Sequence, residues 1–257
     1  MFSRRTQGSG TRHDAGGTVP YAAALDEMIE HQLRRRGVVM HSVLEAMRSV
    51  PRHLFVAHEY SAKAYADEAL PSQEGQTISQ PYMVGIMTQE LRVTPGHCVL
   101  ELGTGTGYQT AVLAHLVGEH GRVYTIERVP ALAEYAQRRL GAMEVRNVQF
   151  FIGDGSKGWP REEPFDGPRS ADGEPLFDRI LVTAGAPDVP RPLVDQLREA
   201  GILVVPVGDG ESQTLMRVEK KGPGVEDTET TRLLDCRFVP LVGAHAWQEE
   251  HLEGRHG

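Results

Sequence analysis

The chain of 257 residues is 40% hydrophobic and 24% charged, which suits one α/β domain of ordinary size and excludes a disordered or membrane-embedded chain. Against 27 Lys and Arg stand 35 Asp and Glu, and the net charge of −8 opposes attachment to phosphate backbones, so no nucleic-acid partner is expected. Two cysteines, Cys98 and Cys236, make neither a disulfide scaffold nor a thiolate zinc site, and a reducing cytoplasm is the expected compartment.

Residues 1–20 are rich in Gly, Thr, Ser and Arg and lack the apolar stretch of a signal peptide, so they read as a disordered leader. From Tyr21 to Ala57 apolar residues recur at helical spacing: Leu25, Met28, Ile29 and Leu33, then Val43, Leu44, Met47 and Val50. That pattern predicts two amphipathic helices separated at Gly37. The Arg34-Arg35-Arg36 cluster closes the first, where cations complement the helix dipole. Ser72 to Pro81 is a polar loop feeding a helix through Met83, Ile86, Met87 and Leu91. On spacing alone Ser79 reads as the N-cap of that helix, with Pro81 in its first turn.

Past Pro95-Gly96 the pattern changes to a strand at Cys98 to Leu102, a glycine loop and a helix at Tyr108 to Val117. A strand at Val123 to Ile126, a helix at Pro130 to Leu140 and a strand at Val148 to Ile152 follow. Pro160 to Pro175 reads as a surface insertion, before a strand at Arg179 to Thr183, a helix at Arg191 to Glu199 and a strand at Gly201 to Pro206. Alternating strands and helices force parallel pairing with right-handed crossovers, hence an open, doubly wound sheet. Later strands are expected at Thr214 to Val218 and Leu233 to Val239, joined by a polar turn at Gly222 to Thr228, and the end from His251 reads as frayed. No run of eighteen apolar residues occurs, so no membrane association is expected.

The strongest local signal is Glu101-Leu-Gly103-Thr104-Gly105-Thr-Gly107, at the end of the first core strand. Ligands of open α/β sheets sit beyond the carboxyl ends of the strands, where glycines admit close backbone approach. A dinucleotide fingerprint would need glycine at 108, where this chain has Tyr108, so pyrophosphate is disfavoured. Glu127 closes the second strand, in position to accept from ribose hydroxyls, and Gly153-Asp154-Gly155 puts a carboxylate at the end of the third, in reach of an adenine amino group. Together they describe a nucleoside site without a phosphate chain, which S-adenosylmethionine fits. Glu101 either holds the loop through backbone N–H groups or reaches the methionine amino group by way of water. The scattered histidines include no ligand pair at metal spacing, so no metal is expected. Trp159 and Trp247 read as packing residues.

Several segments resemble the protein-L-isoaspartate (D-aspartate) O-methyltransferase family: Pro51-Arg-His-Leu-Phe55, Ala64-Tyr-Ala-Asp67, Gly75-Gln-Thr-Ile-Ser-Gln-Pro81, Val99 to Gln109, Tyr124 to Arg128, Gly153-Asp-Gly155 and Leu203 to Gly208. The Thr-Ile-Ser-x-Pro element is the discriminating one, since glycine loops and acids recur across methyltransferases. The resemblance implies a Rossmann-like S-adenosylmethionine-dependent methyltransferase fold, a doubly wound, mostly parallel sheet with an N-terminal helical part. It divides residues 21–250, taken as one domain, into helices and active-site loop (21–95), cofactor-binding core (96–210) and C-terminal strands (211–250). It implies Ser79 as the active-site serine, with Gln76, Thr77 and Ile78 lining the methionine and substrate end and Glu127, Arg128, Asp154 and Gly155 on the adenosine side. Pro71 to Gly75 and Ala57-His58 depart from the family's usual wording, both on the substrate side.

The implied reaction esterifies the free α-carboxylate of L-isoaspartyl residues in damaged proteins and peptides, in a cytoplasmic monomer. A carboxylate with a pKa near ~4 is already ionised at neutral pH, so Ser79 is expected to position it and no general base is needed. The alternative is a methyltransferase of the same fold acting on another carboxylate, such as aspartates of one dedicated peptide. A nicotinamide oxidoreductase is opposed by Tyr108, and a binding module without turnover by the intact Thr77-Ile78-Ser79.

Overall fold

The computed structural model describes residues 18–224 and 226–250. Residues 1–17 and 251–257, most of the expected leader and the whole of the expected tail, lie outside the described residues, and helix α1 (Thr18–Glu27) opens inside the stretch read as leader. It runs into a wider π-helical turn at Met28–Leu33, which buries Met28, Ile29 and Leu33, and a tight turn at Arg34–Arg36. Helix α2 (His41–Ser49) buries Val43, Leu44, Ala46 and Met47 and stops before Pro51, whose ring cannot continue a helix. A two-stranded hairpin pairs β1 (Leu70–Pro71) with β2 (Thr77–Ile78), and α3 (Pro81–Leu91) follows.

The core alternates β3 (Cys98–Leu102), α4 (Tyr108–Val117), β4 (Arg122–Glu127), α5 (Pro130–Ala142) and β5 (Val148–Ile152), then β6 (Phe177–Val182), α6 (Arg191–Asp195), β7 (Leu197–Gly208), β8 (Gln213–Lys220) and β9 (Thr228–Cys236). The sheet order is β5-β4-β3-β6-β7-β8-β9; β8 alone runs against its neighbours, so the doubly wound, mostly parallel reading holds. Every residue of β3 is buried, as expected of a parallel strand covered on both faces. Val99 joins the core under α2, α3 and α4, while Leu100 and Leu102 join a second core with Trp159, Phe177 and α6. Strand order reverses at β3 and β6, and the crevice at their carboxyl ends, where Leu102 pairs with Val182, is where such folds place ligands.

Three expectations change. The helix expected to reach Glu199 ends at Asp195, and β7 begins at Leu197, because Leu197 pairs with Phe177 and its carbonyl accepts from the buried Lys220 Nζ at 2.8 Å. The last strand lies at Thr228–Cys236, five residues earlier than Leu233; it is an edge strand, and its polar residues carry no alternating apolar signal. The insertion is anchored to the core. Phe165 packs on Tyr124 and Phe177, Asp166 bonds the Tyr124 hydroxyl, and with Trp159, which bears out its packing reading, the segment covers a sheet face where no crossover helix lies.

Candidate active site

A cavity of about 930 Å³ opens in that crevice. Three walls come from distant stretches of chain: the Gln76 to Gln80 loop with α3, the glycine loop with the ends of β4, β5 and β6, and the segment Arg237 to Val242 after β9. Of the residues singled out above, Gln76, Thr77, Ile78, Ser79, Gly103, Thr104, Gly105, Glu127, Arg128 and Gly155 line it. Glu101, Gly107 and Asp154 do not.

The glycine loop holds its shape through its neighbours. Gly103 sits at φ 91°, and a Cβ there would collide with the Thr183 hydroxyl, which itself donates to the Leu102 and Gly103 carbonyls at 2.9 and 2.8 Å. Thr104 Oγ1 lies 2.7 Å from Thr125 Oγ1 and ties the loop to β4. Glu127 accepts from Gly105 N at 2.9 Å and from Val129 N at 3.0 Å, one bond to each oxygen, so each retains acceptor capacity. Gly107 is the N-cap of α4 and packs on Ala136 of α5.

Glu101 is completely buried. One oxygen accepts from Thr110 Oγ1 at 2.6 Å and Thr125 Oγ1 at 2.7 Å, and the other has no partner among the described residues. Burial lifts its carboxyl to about 7; the two threonine hydroxyls pull the other way and Glu127 adds a further push up. Of its two expected roles, the geometry favours bracing, through threonine hydroxyls on α4 and β4 rather than through loop N–H groups.

On the opposite wall the hairpin β1–β2 closes through Ser72 N donating to the Gln76 carbonyl at 2.8 Å and delivers Thr77 to Ser79 to the cavity. Ser79 is not the helix cap. Gln80 holds that position, because extended backbone there (φ −57°, ψ 146°) lets Pro81 start α3, and Ser79, which lines the cavity, makes no side-chain hydrogen bond among the described residues. Gln80 Nε2 donates to Asp67 Oδ1 at 3.0 Å, Arg36 donates to the other Asp67 oxygen, and the Arg36 guanidinium stacks 3.6 Å over the Tyr82 ring. Arg36 therefore does more than complement a helix end: it secures the loop.

Asp154 is placed otherwise than expected. Its Oδ1 accepts from Ser156 N and Oγ at 2.9 and 2.6 Å, and its Oδ2 accepts from Ala244 N at 2.8 Å, while Ser156 Oγ accepts from His245 N at 3.0 Å. A Cβ on Gly243 would collide with Asp154 Oδ1, so the backbone there must be bare. Asp154 thus clasps the C-terminal segment. Arg128 pairs with Glu249 at 2.6 Å, and Trp247 Nε1 donates to the Gly185 carbonyl at 3.1 Å, pinning the same segment.

Sequence reasoning missed several lining or supporting residues. Thr183 and Ala184 follow β6, and the rule that ligands lie at the strand-order reversal pointed to them. Met83, Val84 and Met87 of α3 supply an apolar wall. Arg52 is fully buried, donates to the Ala64 carbonyl at 2.8 Å and lies 5.0 Å over the ring of Tyr108, a cavity residue. Burial lowers its pKa to about 10, so it stays charged at neutral pH. Among the described residues no three His, Cys, Asp or Glu side chains converge to hold a metal, and no helix is long and apolar enough to cross a membrane.

Comparison with known proteins meets this geometry. The curated Protein-L-isoaspartate O-methyltransferase of Syntrophotalea carbinolica is 48% identical over 230 residues, 90% of this chain and 98% of that protein. A solved protein-L-isoaspartate O-methyltransferase superposes with a TM-score of 0.72 at 29% identity, covering 86% of this chain and 67% of that one. A Plasmodium falciparum structure, described as a protein-L-isoaspartate O-methyltransferase in complex with S-adenosyl-L-homocysteine, shares the fold with a TM-score of 0.69 at 24% identity, over 86% of this chain and 98% of that one. The family model for Protein-L-isoaspartate(D-aspartate) O-methyltransferase matches residues 24–246, and this chain belongs to that family.

Proposed function

We propose that the protein transfers a methyl group from S-adenosyl-L-methionine to the free α-carboxylate of L-isoaspartyl residues in damaged proteins and peptides. The observation that carries this reading is that Thr77 to Ser79 face the same cavity as the Gly103 to Gly105 loop and Glu127, in a chain of this family. The donor set fits the cofactor: a glycine cradle that a Cβ would fill and a carboxylate with acceptor capacity to spare for ribose hydroxyls. Gly103, Thr104 and Gly105 would hold its methionine part, and Glu127 the ribose. Arg128 and Gly155 would flank the adenosine, with Asp154 acting there through Gly155 and the clasped segment.

When bound, the cofactor supplies a methyl group on a cationic sulfur. The chain's own residues then have to align an ionised acceptor and keep water out. Ser79 orients the acceptor carboxylate with a hydroxyl that has no other partner among the described residues, and Gln76 and Thr77 border it. Ile78, Met83, Val84, Met87 and Leu102 form apolar walls that strengthen attraction between opposite charges by lowering the local dielectric. Since the acceptor brings no proton, no base is required. In this reading the protein acts as a monomer, and its two cysteines, both free, suit a reducing cytoplasmic setting.

The test is a pair of synthetic peptides differing only in an L-isoaspartyl or L-aspartyl linkage, incubated with methyl-labelled cofactor. Label enters the isoaspartyl peptide alone. Equal labelling of both would refute the reading and favour an enzyme for ordinary aspartates.

A further inference from the structure

The cavity has two ends set by strand order. Glu127, Arg128 and Gly155 belong to β4 and β5 on one side of the β3–β6 reversal, and Arg237 follows β9 on the other. Helix α3, which carries the Ser79 loop at its N-terminus, packs over β6 and β7, on the Arg237 side. The lining holds four charged residues: Glu127, Arg128, Glu211 and Arg237. Glu127 is assigned to the ribose and already accepts one backbone N–H on each oxygen, and Arg128 is paired with Glu249. Arg237 forms no ion pair or side-chain hydrogen bond among the described residues, and Glu211, at the same end, lies beyond ion-pair distance of it.

Arg237 is also held at its base. Gln213, which is buried, donates from Nε2 to the Asp209 carbonyl at 2.7 Å and accepts from Phe238 N at 2.8 Å. That one side chain fixes both the turn bearing Glu211 and the backbone next to Arg237. Arg237 therefore borders the cavity from a fixed backbone frame and is exposed, with no side-chain partner among the described residues to hold its five donors.

We propose that Arg237 is a specificity-determining residue: its guanidinium receives the α-carboxylate of the isoaspartyl peptide and brings it to Ser79. This rests on the isoaspartyl reading and names which charge on this chain meets the substrate's charge. A carboxylate entering an apolar cleft loses water, and a charge-assisted bond to guanidinium offsets that loss. Because Arg237 stands at the exposed rim, part of its effect is long-range attraction that salt screens.

The experiment measures initial rates with an isoaspartyl hexapeptide for the full chain, Arg237→Met and Arg237→Lys, at about 0.02 M and 0.5 M salt. Binding of S-adenosyl-L-homocysteine, followed by calorimetry, controls for folding. Arg237→Met is expected to raise the peptide KM about ten-fold at low salt, the size of one charge-assisted bond, with cofactor affinity within about two-fold. Arg237→Lys recovers part of the loss, and salt raises the KM of the unchanged protein far more than that of Arg237→Met. An unmoved peptide KM in Arg237→Met, or parallel salt profiles, would overturn the assignment while leaving the isoaspartyl reading intact. No labelling of the peptide by the unchanged protein would overturn both.

Discussion

Glu101→Gln tests whether a buried carboxyl makes this fold less stable at neutral pH than in mild acid. Glu101 is fully buried and one of its oxygens has no partner, so water cannot share its charge. Burial moves its pKa from an ordinary 4.5 to about 7, against the pull of the Thr110 and Thr125 hydroxyls. Between those two values the folded protein keeps a proton that the unfolded chain has released. The free energy of unfolding therefore falls as pH rises through the window, by about 1.4 kcal/mol per pH unit for a full proton. From pH 5 to pH 8 the loss attributable to this group is about 3 kcal/mol. Glutamine keeps an oxygen for both threonine hydroxyls and cannot ionise. Urea denaturation of the ligand-free proteins at pH 5 and pH 8 gives the comparison, and other titrating groups cancel between them. The unchanged protein should lose about 3 kcal/mol more than Glu101→Gln over that range; parallel pH dependences would show that the carboxyl is solvated and the reasoning wrong.

Ser79→Ala should slow methyl transfer at saturating substrate about ten-fold or more while leaving cofactor affinity near that of the unchanged protein, since its hydroxyl holds no structural bond among the described residues. Asp154→Ala should do the reverse, raising the cofactor KM by releasing Ala244 N and the cavity wall beyond it; a titration of each variant would expose exchanged roles. Gly103→Ala combines a left-handed backbone, about 1–2 kcal/mol for a residue with a Cβ, with displacement of a Thr183 hydroxyl that shares its one proton between two carbonyls, about 1 kcal/mol in all. Its chemical denaturation midpoint should fall accordingly, and an unchanged midpoint would mean that Thr183 yields without cost.

What could be read from residue order alone was whatever is signalled locally. The bounds of β3, α4 and β5 follow from runs of apolar residues punctuated by Gly and Pro, and they agree with the structure residue for residue. The glycine loop and the acids after it are equally local, because each sits at the end of its own strand. Tertiary structure alone decided where side chains distant in sequence meet. Asp154 clasps Ala244 across 90 positions, Arg36 reaches Asp67 across 31, and Gln80 reaches the same Asp67 across 13. No periodicity encodes those meetings. Backbone propensity acts over a turn or a strand, whereas a carboxylate's partners, burial and charge are set by whichever segments the folded sheet brings to the same rim.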